Sequence, residues 1–377
     1  MQAMMRRRLW LQALALGGAG PLARPAPALP PKALVFPRDF GSHPDLRTEW
    51  WYITGQVLAG GRPWGFQLTF FRSRVDTTQK LRSDFAARQL IFAHAALCDV
   101  QGRQLLHDQR VARAGMGLAD AATFDTRVHI QDWQLQRQPV AGQPADQASR
   151  YQARLKAQAF TLELQFDSTQ PVLLQGRNGL SRKGPDGDQA SYYYSQPQLQ
   201  VSGSITVQGR RLAVESSARH PHANRAWLDH ECSEALLHQE ARGWDWIGMN
   251  LDDGSALTAF HLRRPDGSAL WAGGSFRAPG KAAQSFAPQQ VRFEPLRYWS
   301  SPQSRARYPI AWSVQTPAGL FEVQALVDDQ ELDSRASTGA IYWEGLSELL
   351  RMGADGSRAR AGSGYLEMTG YADALKL

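Results

Sequence analysis

Apolar and polar residues alternate with a period of two along most of this chain. Phe160, Leu162, Leu164 and Phe166 alternate with polar neighbours. So do Leu199, Val201, Ile205 and Val207 around Gly203, and Ile310, Trp312 and Val314 further on. A period of two is the pleat of a strand with one buried face. Turn pairs fall between the runs: Gln101-Gly102, Gln208-Gly209, Asp253-Gly254 and Asp266-Gly267. The last two bracket Leu257 to Arg264, the rhythm of a β-meander. Polar, Gly/Pro/Ala-rich stretches at 137–150 and 278–289 predict long hairpin loops. Helical spacing is confined to Glu344–Arg351, which predicts one short helix. No short exact repeat recurs. The pattern predicts an all-β protein with little helix.

The first 28 residues stand apart from this pattern. Arg6, Arg7 and Arg8 precede an uncharged apolar run from Leu9 to Ala19, too short to span a bilayer. Ala26-Pro27-Ala28 then offers a small-x-small site, so cleavage is expected after Ala28. Arg7-Arg8-Leu9-Trp10-Leu11 fits a twin-arginine leader, and the arginine run also suits ordinary secretion. A periplasmic or secreted protein is expected, and no later apolar run is long enough for a span. What remains exceeds one ordinary core, which predicts two domains, 29–236 and 237–377.

Charge changes the picture little. Of 42 basic residues four are arginines of the leader, leaving 38 against 35 acids and no basic stripe. Nucleic acid is therefore not an expected partner. Cys98 and Cys232 are the two cysteines. An oxidising compartment would permit a bridge, but two buried free thiols are expected.

Aromatic residues are unusually clustered: Trp50-Trp51-Tyr52, Tyr192-Tyr193-Tyr194, Trp244 with Trp246, Tyr298-Trp299 and Tyr342-Trp343. Adjacent residues of a strand face opposite ways, so each cluster sends rings to both sides. As a set they predict a cavity for a large apolar molecule. Glu49, Trp51, Tyr52, Tyr193, Trp227, Trp244, Asp245 and Trp246 are the candidate ligand-binding residues. The densest ionisable group is Trp227-Leu228-Asp229-His230-Glu231. In a strand Trp227, Asp229 and Glu231 share one face, while Leu228 and His230 take the other. Two carboxyls beside an indole predict an acid that keeps its proton near neutral pH. Asp229, His230 and Glu231 are the candidate catalytic residues, and Glu49 is expected to enter the same cavity. The competing expectation is that Arg225 or Arg242 pairs with these acids and merely pins strands.

Other chemistries find less support. His220-x-His222 with His230, Glu231 and His238 matches no zinc spacing, and no metal or other cofactor is expected. Nucleophile-elbow, Walker and dinucleotide fingerprints are missing from the sequence.

Six motifs resemble those of the AttH and carotenoid 1,2-hydratase family: Glu49-Trp50-Trp51-Tyr52, Ala93-His94-Ala95-Ala96-Leu97, Tyr193-Tyr194-Ser195, Trp227-Leu228-Asp229-His230-Glu231, Gly243-Trp244-Asp245-Trp246 and Tyr342-Trp343-Glu344-Gly345. The final Gly364-Tyr365-Leu366-Glu367-Met368-Thr369-Gly370-Tyr371 fits as well. The resemblance runs in order from about Phe36 to Tyr371. It implies two tandem lipocalin-like antiparallel β-barrels, export and a hydrophobic ligand, an isoprenoid or a lipid. Its hydratase branch adds water to an isolated terminal isoprenoid double bond, a hydro-lyase activity, and implies Asp229 as proton donor. Glu231-Cys232 replaces the Asn-Trp expected in that branch, which weakens the case for a carotenoid substrate. The other branch implies a non-enzymatic carrier associated with an ABC transporter permease, with peripheral membrane contact left open.

Overall fold

The computed structural model describes residues 28–374 except Leu236, so residues 1–27 of the leader expected at 1–28 lie outside the described residues. The first half contains β1 (Thr48–Ala59), β2 (Arg62–Arg74), β3 (Gln89–Asp99), β4 (Gln104–Arg113), β5 (Ala119–Ala121), β6 (Arg127–Ile130), β7 (Trp133–Pro139), β8 (Ser149–Lys156), β9 (Phe160–Asp167), β10 (Leu173–Leu174), β11 (Leu180–Arg182), β12 (Ala190–Val207), β13 (Arg210–Ala213) and β14 (Arg225–Ser233). The second contains β15 (Gly243–Leu251), β16 (Ala256–Arg263), β17 (Ala269–Arg277), β18 (Gln284–Phe286), β19 (Arg292–Ser300), β20 (Arg307–Thr316), β21 (Gly319–Ala325), β22 (Glu331–Ser334), β23 (Ala340–Met352) and β24 (Arg358–Met368). Among the described residues, helix is limited to three 3₁₀ turns of three residues each. None is long or apolar enough to cross a membrane.

The strands form two antiparallel sheets. The first runs β4-β3-β2-β1-β14-β12-β9-β8-β7-β6-β5, the second β18-β17-β16-β15-β24-β23-β21-β20-β19. In each, the last strand returns to pair with the first, β14 with β1 and β24 with β15. That pairing curls each meander into a nearly closed barrel, the tandem lipocalin-like architecture. The turn pairs fall where the sequence placed them. Gln208 and Gly209 both take positive φ, 51° and 73°, the handedness a two-residue hairpin requires.

Side-chain alternation sorts residues into three cores. Trp51, Ile53, Phe66, Phe70, Trp133 and Leu228 belong to the first barrel interior. Ile247, Met249, Trp312, Trp343 and Leu366 fill the second. The third core lies between the sheets, where Tyr52 and Trp227 meet Trp246, Phe260, Leu346 and Tyr365. Strands β1, β14, β15, β23 and β24 are therefore covered on both faces.

Two expectations are corrected here. Glu344–Arg351 is strand, part of β23. Leu346 faces the other sheet and Leu349 the second core, so a doubly covered strand imitates helical spacing. The large rings of the first half do not surround a cavity inside their barrel either. Trp51, Trp133, Phe66, Phe70 and Phe166 are fully buried and fill the first interior. Beside Trp227, bordered by Thr54, Asn250 and Leu346, the enclosed space measures about 10 Å³, room for one water.

Candidate active site

The site is built where the outer faces of the two sheets meet. Strand alternation turns Trp227, Asp229 and Glu231 of β14 toward this interface. Neighbouring β12 sets Ser195 opposite Asp229 and Tyr193 opposite Glu231. Three donors converge on Asp229: Ser195 Oγ at 2.5 Å and Trp227 Nε1 at 2.7 Å on Oδ1, and the Tyr193 hydroxyl at 2.8 Å on Oδ2. Burial raises the Asp229 pKa, the three hydrogen bonds oppose it, and the charge of Glu231 adds to it. The balance pushes the carboxyl up to about 7. Trp227 thus acts on Asp229 as a hydrogen-bond donor, pulling its pKa down, while general burial lifts it.

Glu231 is compensated differently. It accepts from Ser191 Oγ at 2.5 Å and faces Lys183 Nζ at 2.8 Å. Lys183 also lies 4.6 Å from the ring centroids of Tyr193 and Phe260. Arg225 instead binds Pro221 and Gln198, and Arg242 binds Gly370, so neither arginine holds the acids. Across the interface the Trp246 ring meets Tyr52 edge-on at 5.6 Å and Trp227 at 6.4 Å. Trp244 sits partly exposed at the rim.

A second pair of acids faces this group. Glu344 of β23 stands opposite Glu367 of β24, which stands opposite Trp246 of β15. Burial first, and then the neighbouring Glu367, keep the Glu344 carboxyl well above its usual range. Burial pushes Glu367 up to about 7; Trp244 opposes this, while Asp229 and Glu231 reinforce it. The Tyr52 hydroxyl lies beside the buried Glu344 carboxyl and opposes the rise in its pKa.

The other candidates lie elsewhere. Glu49, Trp51 and His230 sit on the opposite faces of β1 and β14, away from Asp229. Trp51 stacks on His230 at 4.7 Å within the first barrel. Glu49 is fully buried and saturated: it accepts from His43 Nδ1 at 2.7 Å, His230 Nε2 at 2.8 Å and Arg72 Nε at 2.8 Å. Burial opposes its charge, but the bonds from His230 and His43 hold its carboxyl well below the usual range. Burial likewise works against protonated His43, yet Asp39, Cys232 and Glu49 raise its pKa to about 11. Asp245 is inside the second barrel, bound by His261, Arg263 and Tyr371. The strand pleat explains each case, because an odd offset from a site residue reverses the face.

His43, Glu49 and Cys232 bring donor atoms within 4.8 Å of one another. Arg72 already occupies Glu49, and both His43 nitrogens face carboxylates, so the group closes as a buried ion network. His220 faces Glu215, His222 Asp252 and His238 Asp186, so these histidines do not converge. Both cysteines are free and buried.

Sequence reasoning missed Lys183, Ser191, Ser195, Phe260, Glu344 and Glu367 as site residues. Ser195, Glu344 and Glu367 lay inside recognised motifs, and their strand parity relative to neighbouring aromatics was the available signal. Lys183 lies in the loop before β12, where no periodicity marks it.

No curated protein matches the sequence. A crystal structure of an AttH protein from Nitrosomonas europaea is 47% identical, with 92% of this chain and 99% of that one covered and a TM-score of 0.80. Kievitone hydratase from Nectria haematococca shares the fold at 15% identity, covering 86% and 89%, with a TM-score of 0.64. CghA, solved with Sch210972, does so at 13%, covering 86% and 88%, with a TM-score of 0.54. The AttH-like family matches residues 27–371, nearly the whole length, and the chain belongs to that family.

Proposed function

We propose that this protein is a hydratase that adds water across an isolated carbon–carbon double bond of an apolar, isoprenoid-type ligand held between the barrels. One observation carries the reading: Asp229 is a buried acid whose pKa burial lifts to about 7, with the rings of Trp227 and Trp246 in the same core. Protonating a trisubstituted alkene creates a tertiary cation, which needs a neutral acid, π faces and a held water. Asp229 supplies the proton, the rings of Trp227 and Trp246 face the cation, and Glu231, anchored by Ser191 and Lys183, orients the water. Kievitone hydratase gives the chemistry a precedent on this fold, by analogy of fold alone. The interface is closed around Trp227, so the ligand gains access by parting the two sheets.

From its leader we also place the protein outside the cytoplasm. The test incubates the wild-type chain with lycopene or geranylgeraniol in detergent and ¹⁸O-labelled water. Hydration gives an alcohol heavier by one labelled water. A carrier serving an ABC transporter permease would return both compounds unchanged.

A further inference from the structure

The two sheets share one strand order about their closing pair, and the match reaches single residues. Laying Tyr52 on Trp246 sets Trp50 on Trp244 and Ile53 on Ile247. The closing strands then align Trp227-Leu228-Asp229 with Tyr365-Leu366-Glu367, because Tyr52 stands opposite Asp229 and Trp246 opposite Glu367. The next strands align Tyr193-Tyr194-Ser195 with Tyr342-Trp343-Glu344, because Ser195 stands opposite Asp229 and Glu344 opposite Glu367. Glu367 is thus the second half's counterpart of Asp229, and the faces that carry them pack together through Tyr52, Trp227 and Trp246.

The two halves differ at the neighbouring position. Asp229 faces a hydroxyl, Ser195, whereas Glu367 faces a second carboxyl, Glu344. Among the described residues neither Glu344 nor Glu367 forms an ion pair. Glu344 is 3% exposed and Tyr52 7%, and the Tyr52 hydroxyl of the first half lies beside the Glu344 carboxyl of the second. Carboxyls side by side without a cation, here Glu344 buried and Glu367 half-buried, lose their protons one at a time. Glu344 keeps its proton while Glu367 changes charge close to where Asp229 does.

We infer that the Glu344–Glu367 pair is the proton acceptor for the water added at Asp229, a second site of proton transfer on the opposite wall of the interface. The inference rests on the hydratase reading above. In the first step the alkene π electrons take the Asp229 proton, forming a C–H bond and leaving a carboxylate and a tertiary cation. Water oxygen then bonds to the cation, and the proton it loses goes to the Glu367 carboxylate while Glu344 keeps its own. Return of that proton through water to Asp229 restores the site. The sum is one water added, with nothing oxidised or reduced.

The test uses the full chain with the same two isoprenoids, the Glu367→Gln and Glu344→Gln variants, and infrared bands of protonated carboxyls. Glu367→Gln should lower turnover about 100-fold with ligand binding retained. Glu344→Gln should leave the rising limb of the pH–rate profile where it is, because Glu344 is already neutral when Glu367 ionises. It should also remove the protonated-carboxyl band that is last to ionise in wild type. Wild-type turnover that Glu367→Gln leaves unchanged, or a last-ionising band that survives in Glu344→Gln, overturns the acceptor role alone. A wild type inert toward both compounds overturns the hydratase reading and the acceptor role with it.

Discussion

Asp229 shows how three interactions set one proton. The unfolded chain releases it at about 4, the folded protein at about 7. Between those values the folded state binds the extra proton, so ionising Asp229 costs stability as pH rises through this window. Asp229→Asn removes that ionisation and keeps the size. Its thermal midpoint should match wild type near pH 4 and exceed it at pH 8; an identical gap at both pH values would contradict the burial argument. Two tryptophans separate packing from binding. Trp51→Ala, in the first core, should cost about 3–5 kcal/mol in denaturant unfolding and leave ligand affinity alone. Trp246→Ala should weaken ligand binding more than stability, and the reverse ranking would move the site off the interface. The shared face of Trp227, Asp229 and Glu231 was legible in the sequence, since it needs only strand parity. The hydroxyls of Ser191 and Ser195 and the ammonium of Lys183 were not, because pairing partners come from other strands.

Whole strands explain which motifs serve the site. β1 and β14 each carry two sets of residues, and the pleat sends Tyr52 and Asp229 one way, Glu49, Trp51 and His230 the other. Motif membership alone could not separate these sets; register could. Doubly covered β23 misled in another way, reading as helix because both its faces are apolar. Glu49 anchors the chain before β1, tying His43 to Arg72 and His230. Glu49→Gln leaves buried positive charge without its counter-ion, an expected loss of about 3–5 kcal/mol in chemical denaturation. A loss below 1 kcal/mol would show the network relaxes. Gly248 of β15 leaves room for the paired indoles: a Cβ there would lie 2.3 Å from Trp246 Cη2 and 3.2 Å from Trp227 Cδ2. Gly248→Ala should therefore alter tryptophan fluorescence and turnover while the chain still folds. Unchanged values for both would detach these rings from the site.

At the scale of the molecule, the interior of each barrel holds packed rings and closed ion networks, and the proposed chemistry falls to the interface between them. Alternation and turns made the all-β class readable, and the motif order made the tandem readable. The placement of the site between the sheets was less so, because clustered aromatics fit a barrel mouth and a barrel–barrel contact equally well. Export belongs to this scale too. The processed protein is expected to begin at Leu29, checked by N-terminal sequencing of exported material; a start at Met1 or well inside β1 would refute it. The central claim, that Asp229 donates the proton of a hydration reaction, is tested most directly by turnover of wild type and Asp229→Asn on one isoprenoid at saturating concentration. The account predicts hydrated product from wild type and a loss on the order of 100-fold or more in the variant, with binding nearly intact. Equal turnover by the two proteins would contradict it.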